Sequence, residues 1–361
     1  MVNLEYLLAL HSVNGLGPVR LRALMDYYQD PKLVWEADPK ELQKLSIFQN
    51  VINLLLETRK KLVPEKYLEY IQKCGISWVT SFDEKYPRLL KEISDPPIIL
   101  YYKGDIVEDG KTIAVVGTRK MTGYGGLVTE KFVSGLVEAG ITIVSGLARG
   151  VDTQAHKTTV KLEGRTLAVL GGGLNRIFPP ENTRLAGEIA SGFGAVISEF
   201  PPDHPSLPGN FPARNRIISG LSKAVLVTEA AEDSGSLITA KLALEQGRDV
   251  FAIPGPITSD LSQGPLLLIK QGAKLVTEVE EILEEIGLTR FKNTDLRIKN
   301  ENELNEMEKK ILEVLQSESK HIDEICRELQ CSAALVSASL IKMEIFGLVK
   351  NMGAGNYIRI C

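Results

Sequence analysis

The sequence predicts an α/β protein: an extended Rossmann-like core of parallel strands, preceded by a helical segment and followed by a winged helix-turn-helix. Three observations predict it. Between residues 111 and 277, short β-branched runs ending in glycine or serine alternate with amphipathic stretches of helical length. Before residue 80 the apolar residues recur at helical spacing. After residue 305, three helical stretches precede a glycine-tipped hairpin. Strands as apolar as these are buried on both faces, and such alternation builds an open parallel sheet with helices on both sides.

Residues 1–80 carry "LEYLLAL", "RLRALMDYY", "ELQKL", "NLLLETRKKL" and "KYLEYIQKC", all near the helical period. Between the first two, Gly15-Leu16-Gly17 stops one helix and Pro18 starts the next. This has the form of a helix-hairpin-helix (SAM-like) turn, whose glycine amides are suited to a phosphate, or of a plain turn in a bundle. Residues 81–110 connect to the core, and "PPIILYYKG" within them predicts a strand closed by a glycine. The core strands are "TIAVVGT", "ITIVSG", "TLAVLGGG", "AVISEF", "KAVLVTEA", "DVFAIPG" and "AKLV" across 81–287. Residues 288–304 are polar, without apolar period, and predict a linker. The winged helix-turn-helix occupies 305–361.

A chain of 361 residues suggests two or three domains. Its start lacks the basic region of a signal peptide, and no apolar run approaches the roughly 18–20 residues of a spanning helix. No membrane partner is expected, and a cytoplasmic location is. Cys74, Cys326, Cys331 and Cys361 form no C-x-x-C pair and no cluster with histidine, so neither a metal site nor a disulfide framework is expected. The net charge is −4, but residues 111–277 hold 17 Lys and Arg against 14 Asp and Glu. The core is thus at +3 and the flanks at −7, which leaves room for a basic face on the core.

In open parallel sheets the ligand crevice lies outside the carboxyl ends of the strands, so the loops there carry the function. Arg119 follows the first strand. "SGLARG" supplies Ser145, Gly146, Arg149 and Gly150, with a helix N-terminus beginning near Gly150 that is suited to an anion. "LGGGLNRIFPPEN" supplies three glycines for backbone access, Arg176 for charge, Phe178 as a stacking face and Asn182 as an amide. A proline-stiffened loop leads to Arg214-Asn215-Arg216, and "EDSGS" offers Ser234, Gly235 and Ser236 at another helix start, capped by Asp233 or Ser234. Arg119, Arg214 and Arg216 are expected to converge with the loop amides on one crevice that holds phosphates in series. Asp152 and His156 stand i,i+4; without a third ligand they predict a capping aspartate and a surface histidine. There is no Walker A motif and no dinucleotide fingerprint. No nucleophile–base arrangement is evident either, so catalytic residues and cofactors are expected to be absent.

The ordered motifs "VVGTR", "SGLARGVDTQAH", "LGGGLNRIFPPEN", "SEFPP", "FPARNRIISGLS" and "EAAEDSGSLITAKLALEQGRDVFAIPG" resemble the DNA-processing protein A family (DprA, also called Smf) from about residue 84 to 277. The resemblance implies a core that binds single-stranded DNA, protects incoming strands in natural transformation and helps load the RecA recombinase. It also implies a homodimer formed through the core. Two departures are visible: Leu266 stands where the family often has Asn, and Asp203-His204 stands where Gly-Thr usually follows "SEFPP". Arg176 or Arg184 is expected to replace a basic residue that relatives carry near Pro180.

Two other functions compete. One is a Rossmann-like enzyme cleaving an N-glycosidic bond, for which Glu232, Asp233 and Glu245 are the available acids. The other is a duplex-binding regulator acting through the winged helix. Its would-be recognition helix, "SAALVSASLIKMEIFG", has one basic residue, Lys342, which favours a protein-contact role. Lys350, Asn351 and Arg359 in the wing keep the DNA reading open.

Overall fold

A computed structural model of the chain describes residues 3–44, 49–106, 110–288, 304–315, 320–345, 348–353 and 355–359. Residues Met1–Leu288 form one compact unit and Thr289–Cys361 a second.

The first unit is built on a nine-stranded sheet. Seven strands are the parallel runs read from the sequence: β3 (Thr112–Val116), β4 (Thr142–Ser145), β5 (Thr166–Leu170), β6 (Gly194–Ser198), β7 (Ala224–Val227), β8 (Asp249–Ala252) and β9 (Lys274–Leu275). Two antiparallel strands, β1 (Ser77–Thr80) and β2 (Ile99–Gly104), extend the edge beside β6. The strand order is β1-β2-β6-β5-β4-β3-β7-β8-β9. From β3 the chain winds outward through β4, β5 and β6, then returns to the other side of β3 and winds through β7, β8 and β9. The order therefore reverses between β3 and β7.

Side chains alternate across the strands. In β3, Ile113 and Val115 enter one core cluster while Ala114 and Val116 enter another. The first face is covered by α8 (Gly123–Glu138), α9 (Val151–Lys161) and α14 (Val279–Glu285). The opposite face is covered by α7 (Arg88–Lys91), α11 (Asn210–Gly220), α12 (Gly235–Glu245) and α13 (Gln263–Lys270).

The N-terminal helices α1 (Leu4–His11), α2 (Pro18–Tyr28), α3 (Pro31–Glu36), α4 (Pro39–Leu42), α5 (Gln49–Lys61) and α6 (Pro64–Lys73) form a layer of their own. Their apolar stripes do not close on themselves. Leu7, Leu21 and Ile71 share a core with Ile99, Tyr101, Ala168 and Val196 of the sheet and with Leu185 of α10 (Thr183–Glu188). The glycine turn forms as expected, with Gly15 at φ +83° and Pro18 opening α2. The helical reading of 1–80 needs one correction. Ser77–Thr80 is strand β1, because a four-residue β-branched and aromatic run following Gly75 pairs with β2.

The second unit contains α15 (Glu306–Val314), α16 (Ile322–Leu329) and α17 (Ala333–Ile345). A three-stranded sheet completes it, ordered β10 (Lys320–His321), β12 (Asn356–Arg359), β11 (Val349–Gly353). Ile311, Ile325, Leu340 and Val349 meet in its core. Lys342 Nζ lies 2.8 Å from Glu308 Oε1, so the basic residue of the recognition helix is engaged with α15. The predicted linker, apart from Leu288 and Leu304, lies outside the described residues, as does the side chain of Lys350.

Candidate functional site

A cavity of about 600 Å³ opens where the strand order reverses. Its walls come from the carboxyl ends of β3 and β7 and from α11 and α12. Arg119 and Lys120 follow β3, both exposed at the cavity. Facing them, Ser234 caps α12: its Oγ accepts from the Ser236 amide at 3.3 Å, and Gly235 begins the helix. Asn215 donates from Nδ2 to the Gly235 carbonyl at 3.2 Å, which ties the start of α12 to α11. Phe178 is 44% exposed and tilts against Phe211, with ring centroids 5.7 Å apart. The Arg119 guanidinium lies 5.5 Å from the Phe211 centroid, within cation–π range. The site thus joins cations, an aromatic wall and a helix N-terminus.

Arg214 is the floor of this cavity. It is 4% exposed, and its Nη1 donates to the Gly146 carbonyl at 2.7 Å and to the Val169 carbonyl, bridging the ends of β4 and β5. Burial lowers its pKa to about 10, opposed by Asp152 and reinforced by Arg119. The guanidinium therefore keeps its charge at neutral pH. Its Nε is buried without a hydrogen-bond partner. A Cβ at residue 146 would lie 2.2 Å from Arg214 Nη1, so Gly146 makes room for the arginine.

Arg216 does not join it. The two arginines sit inside α11, and residues two apart on a helix point about 200° from each other. Arg216 Nε lies 2.8 Å from Asp95 Oδ2 and its Nη2 2.6 Å from Glu199 Oε2, an ion triad linking the 81–110 connector to the end of β6. The expected convergence of three arginines is thus corrected to Arg119 and Arg214, joined by Lys120.

Several other motif residues build the scaffold. The Ser145 hydroxyl donates to the Val115 carbonyl at 2.7 Å, and Asn182 Nδ2 donates to the Leu147 carbonyl and to Thr153 Oγ1, both at 2.8 Å. Asp152 accepts from the Gly146 and Ala148 amides at 3.1 and 3.3 Å, which takes up the loop N–H groups expected to face an anion. Gly150 has φ +73°, and a Cβ there would lie 2.2 Å from the Thr118 carbonyl oxygen, so it serves the packing of the loop that carries Arg119. Arg149 is exposed and paired with Glu181, Arg184 with Glu188 at 2.8 Å, and Arg176 is exposed. None of these three lines the cavity.

Two cavity residues escape the sequence reading. Phe211 stands three residues before Arg214, in a stretch whose prolines suggest loop but which is the first turn of α11. Lys120 follows Arg119 directly. Behind the cavity, Glu229 anchors the segment between β3 and α8 that carries Arg119 and Lys120: it is 2% exposed and accepts from the Thr122 amide at 2.9 Å and the Thr122 hydroxyl at 2.6 Å.

His156 is not a surface residue. It is fully buried, with Nδ1 2.7 Å from Thr166 Oγ1 and Nε2 unpartnered. The i,i+4 placement puts it on the face of α9 that packs on the sheet. Burial, with Arg214 nearby, lowers its pKa from 6.5 to about 3. The unfolded chain takes up this proton near 6.5 and the folded chain only near 3, so the contribution is complete above 6.5 and declines as pH falls toward 3. His156→Gln is expected to reduce the drop in melting temperature between pH 7.5 and 5.5. Parallel curves for the two proteins would contradict this.

Two family models match the chain. The DNA recombination-mediator protein A model covers residues 77–287, and the DprA winged helix domain model covers 299–355. The chain belongs to the DprA/Smf family. Protein Smf of Synechocystis is 36% identical over 99% of this chain and 100% of its own length. The DNA processing protein DprA of Streptococcus pneumoniae is 48% identical over 56% of this chain and 72% of its own. The X-ray structure of the S. pneumoniae DprA superposes with a TM-score of 0.68 at 37% identity, covering 79% of this chain and 99% of that one. The Helicobacter pylori DprA structure, which concerns a single-stranded DNA binding mode, has a TM-score of 0.53 at 29% identity over 58% and 95% of the two chains. No helix among the described residues of this DprA/Smf chain is long and apolar enough to cross a membrane.

Proposed function

We propose that this chain binds single-stranded DNA in the cavity between β3 and β7 and acts as a DNA processing protein in natural transformation. The observation that carries the reading is the composition of the cavity: Arg119, Lys120, the buried Arg214 and the N-terminus of α12 for phosphates, beside Phe178 and Phe211 for a base. Backbone charge with an aromatic platform suits unpaired strands, whose bases are free to stack, and is nearly blind to sequence. The H. pylori relative, whose structure concerns a single-stranded DNA binding mode, supports it.

The protein is a cytoplasmic homodimer that presents two crevices to one strand and hands that strand to the RecA recombinase. The phosphate contacts are those of Arg119, Lys120, Arg214, Asn215, Ser234, Gly235 and Ser236. The domains are a helical segment over 1–80, the core over 81–287, a linker over 288–304 and a winged helix over 305–361. The protein binds without catalysing: Asp152 accepts from loop amides, and Glu245 lies at the far end of α12, about 15 Å from the helix's first residue at 1.5 Å per residue. Glu245 is thus too far from Glu232 and Asp233, which precede the helix, to share one glycosidic bond with either. Release of free base from nucleoside monophosphates would return the enzyme reading.

The test is equilibrium binding of a labelled dT oligomer and of a matching duplex. The expected result is tighter binding of the single strand, retained when residues 300–361 are deleted, because Lys342 is engaged with Glu308. Preferential duplex binding that disappears on deletion would move the function to the winged helix.

A further inference from the structure

The crevice's aromatic wall is held from outside the crevice. Phe178 lies on the loop after β5, and Phe211 in the first turn of α11, directly after the long loop that follows β6. The two loops are zipped together: the Gly173 amide donates to the His204 carbonyl at 2.9 Å and the Asn175 amide to the Pro202 carbonyl at 3.0 Å. The three glycines of "LGGGLN", expected to admit an anion, instead admit this second loop. Added Cβ atoms at 171, 172 and 173 would lie 2.9 Å from Phe211, 2.4 Å from Ser206 and 2.2 Å from the Pro202 carbonyl oxygen.

A polar knot then fastens the zipped loops to the N-terminal layer. Tyr70 of α6 donates its hydroxyl to Asp203 Oδ2 at 2.5 Å. Asn175 Nδ2 reaches Asp203 Oδ1 at 3.0 Å, the Tyr70 hydroxyl at 3.1 Å and Cys74 Sγ at 3.6 Å. Each loop contributes one member, and α6 with the residue that caps it contributes two. Asp203 is also where the sequence departs from the Gly-Thr expected of the family. A carboxylate there offers two acceptor oxygens, and both are used.

We infer that Tyr70, Asp203 and Asn175 are positioning residues that fix the Phe178–Phe211 wall, so that the N-terminal helical layer sets the strength of base stacking without touching DNA. The inference rests on the crevice being the single-strand site. The knot is solvent-exposed, so loosening it costs little global stability. What it removes is preorganisation of the loops, which otherwise must be ordered on binding.

The test uses the full chain, Tyr70→Phe and Asp203→Ala, each in the wild-type and in the Phe178→Ala background. The probes are a dT oligomer and an abasic deoxyribose-phosphate oligomer of equal length. In the wild-type background both variants are expected to keep their melting temperature and to bind dT about fivefold more weakly, the low end of one stacked base. Their affinity for the abasic oligomer is expected to be unchanged, and the loss on dT to vanish in the Phe178→Ala background. Amide exchange in 171–178 and 201–211 is expected to rise. Unchanged dT affinity, or an equal loss on the abasic oligomer, overturns the inference and leaves the single-strand site standing. A wild-type chain that binds neither oligomer overturns the single-strand site and the inference together.

Discussion

Arg216→Ala is expected to lower the unfolding free energy by about 3–5 kcal/mol, the cost of leaving a buried charge without its partner. Glu199 is 8% exposed, and burial already raises its pKa against the pull of Arg216. Arg216 is the cation that offsets this desolvation, through both its charge and its hydrogen bond. Denaturant midpoints measure the effect. Arg216→Met combined with Glu199→Leu is expected to recover most of the loss, since an apolar pair of similar volume needs no charge compensation. A single variant within about 1 kcal/mol of wild type would contradict the structural role assigned to the triad.

Arg214→Ala carries the second large effect, again on stability. It removes the donor to the Gly146 and Val169 carbonyls and the positive charge beside the buried Asp152. A loss of about 2–4 kcal/mol is expected from the orphaned groups together. Arg214→Lys is expected to recover part of it, because an ammonium keeps the charge but lacks the planar fork. Any loss of DNA affinity in Arg214→Ala is therefore mixed with damage to the loop after β4. Arg119 is exposed and rests against the Phe211 ring, so its removal reads the crevice alone.

The sheet is legible in the sequence because parallel strands buried on both faces leave continuous apolar runs, and each of the seven runs is a strand. β1 is not, because four residues carry too little period to distinguish a strand from a frayed helix. The place of the crevice follows from the general rule for open α/β sheets. Its membership does not follow from the motifs. Arg214 and Arg216 look equivalent in "ARNR" until helix geometry turns them apart. Ser145, Asn182 and Gly146 stand in the same kind of loop as Arg119 and Ser234, yet their hydrogen bonds and close approaches are internal. Glycine-rich strand ends read alike whether the backbone meets a ligand or another loop. At 171–173 it meets Phe211 of α11 and the loop that precedes that helix. Asp203 is visible as a departure from the family, but its role depends on Tyr70, 133 residues away in the chain.

Whether the cavity holds the strand is tested directly by the salt dependence of binding to a dT oligomer, measured for the wild type beside Arg119→Ala. If the cavity holds phosphates, log K for the wild type falls linearly with log salt, and the slope is shallower by about 0.7 for each phosphate that the variant no longer neutralises. Affinity at low salt is expected to fall about tenfold with it. Identical affinity and slope in the two proteins would contradict phosphate binding by Arg119 and place the DNA outside this cavity.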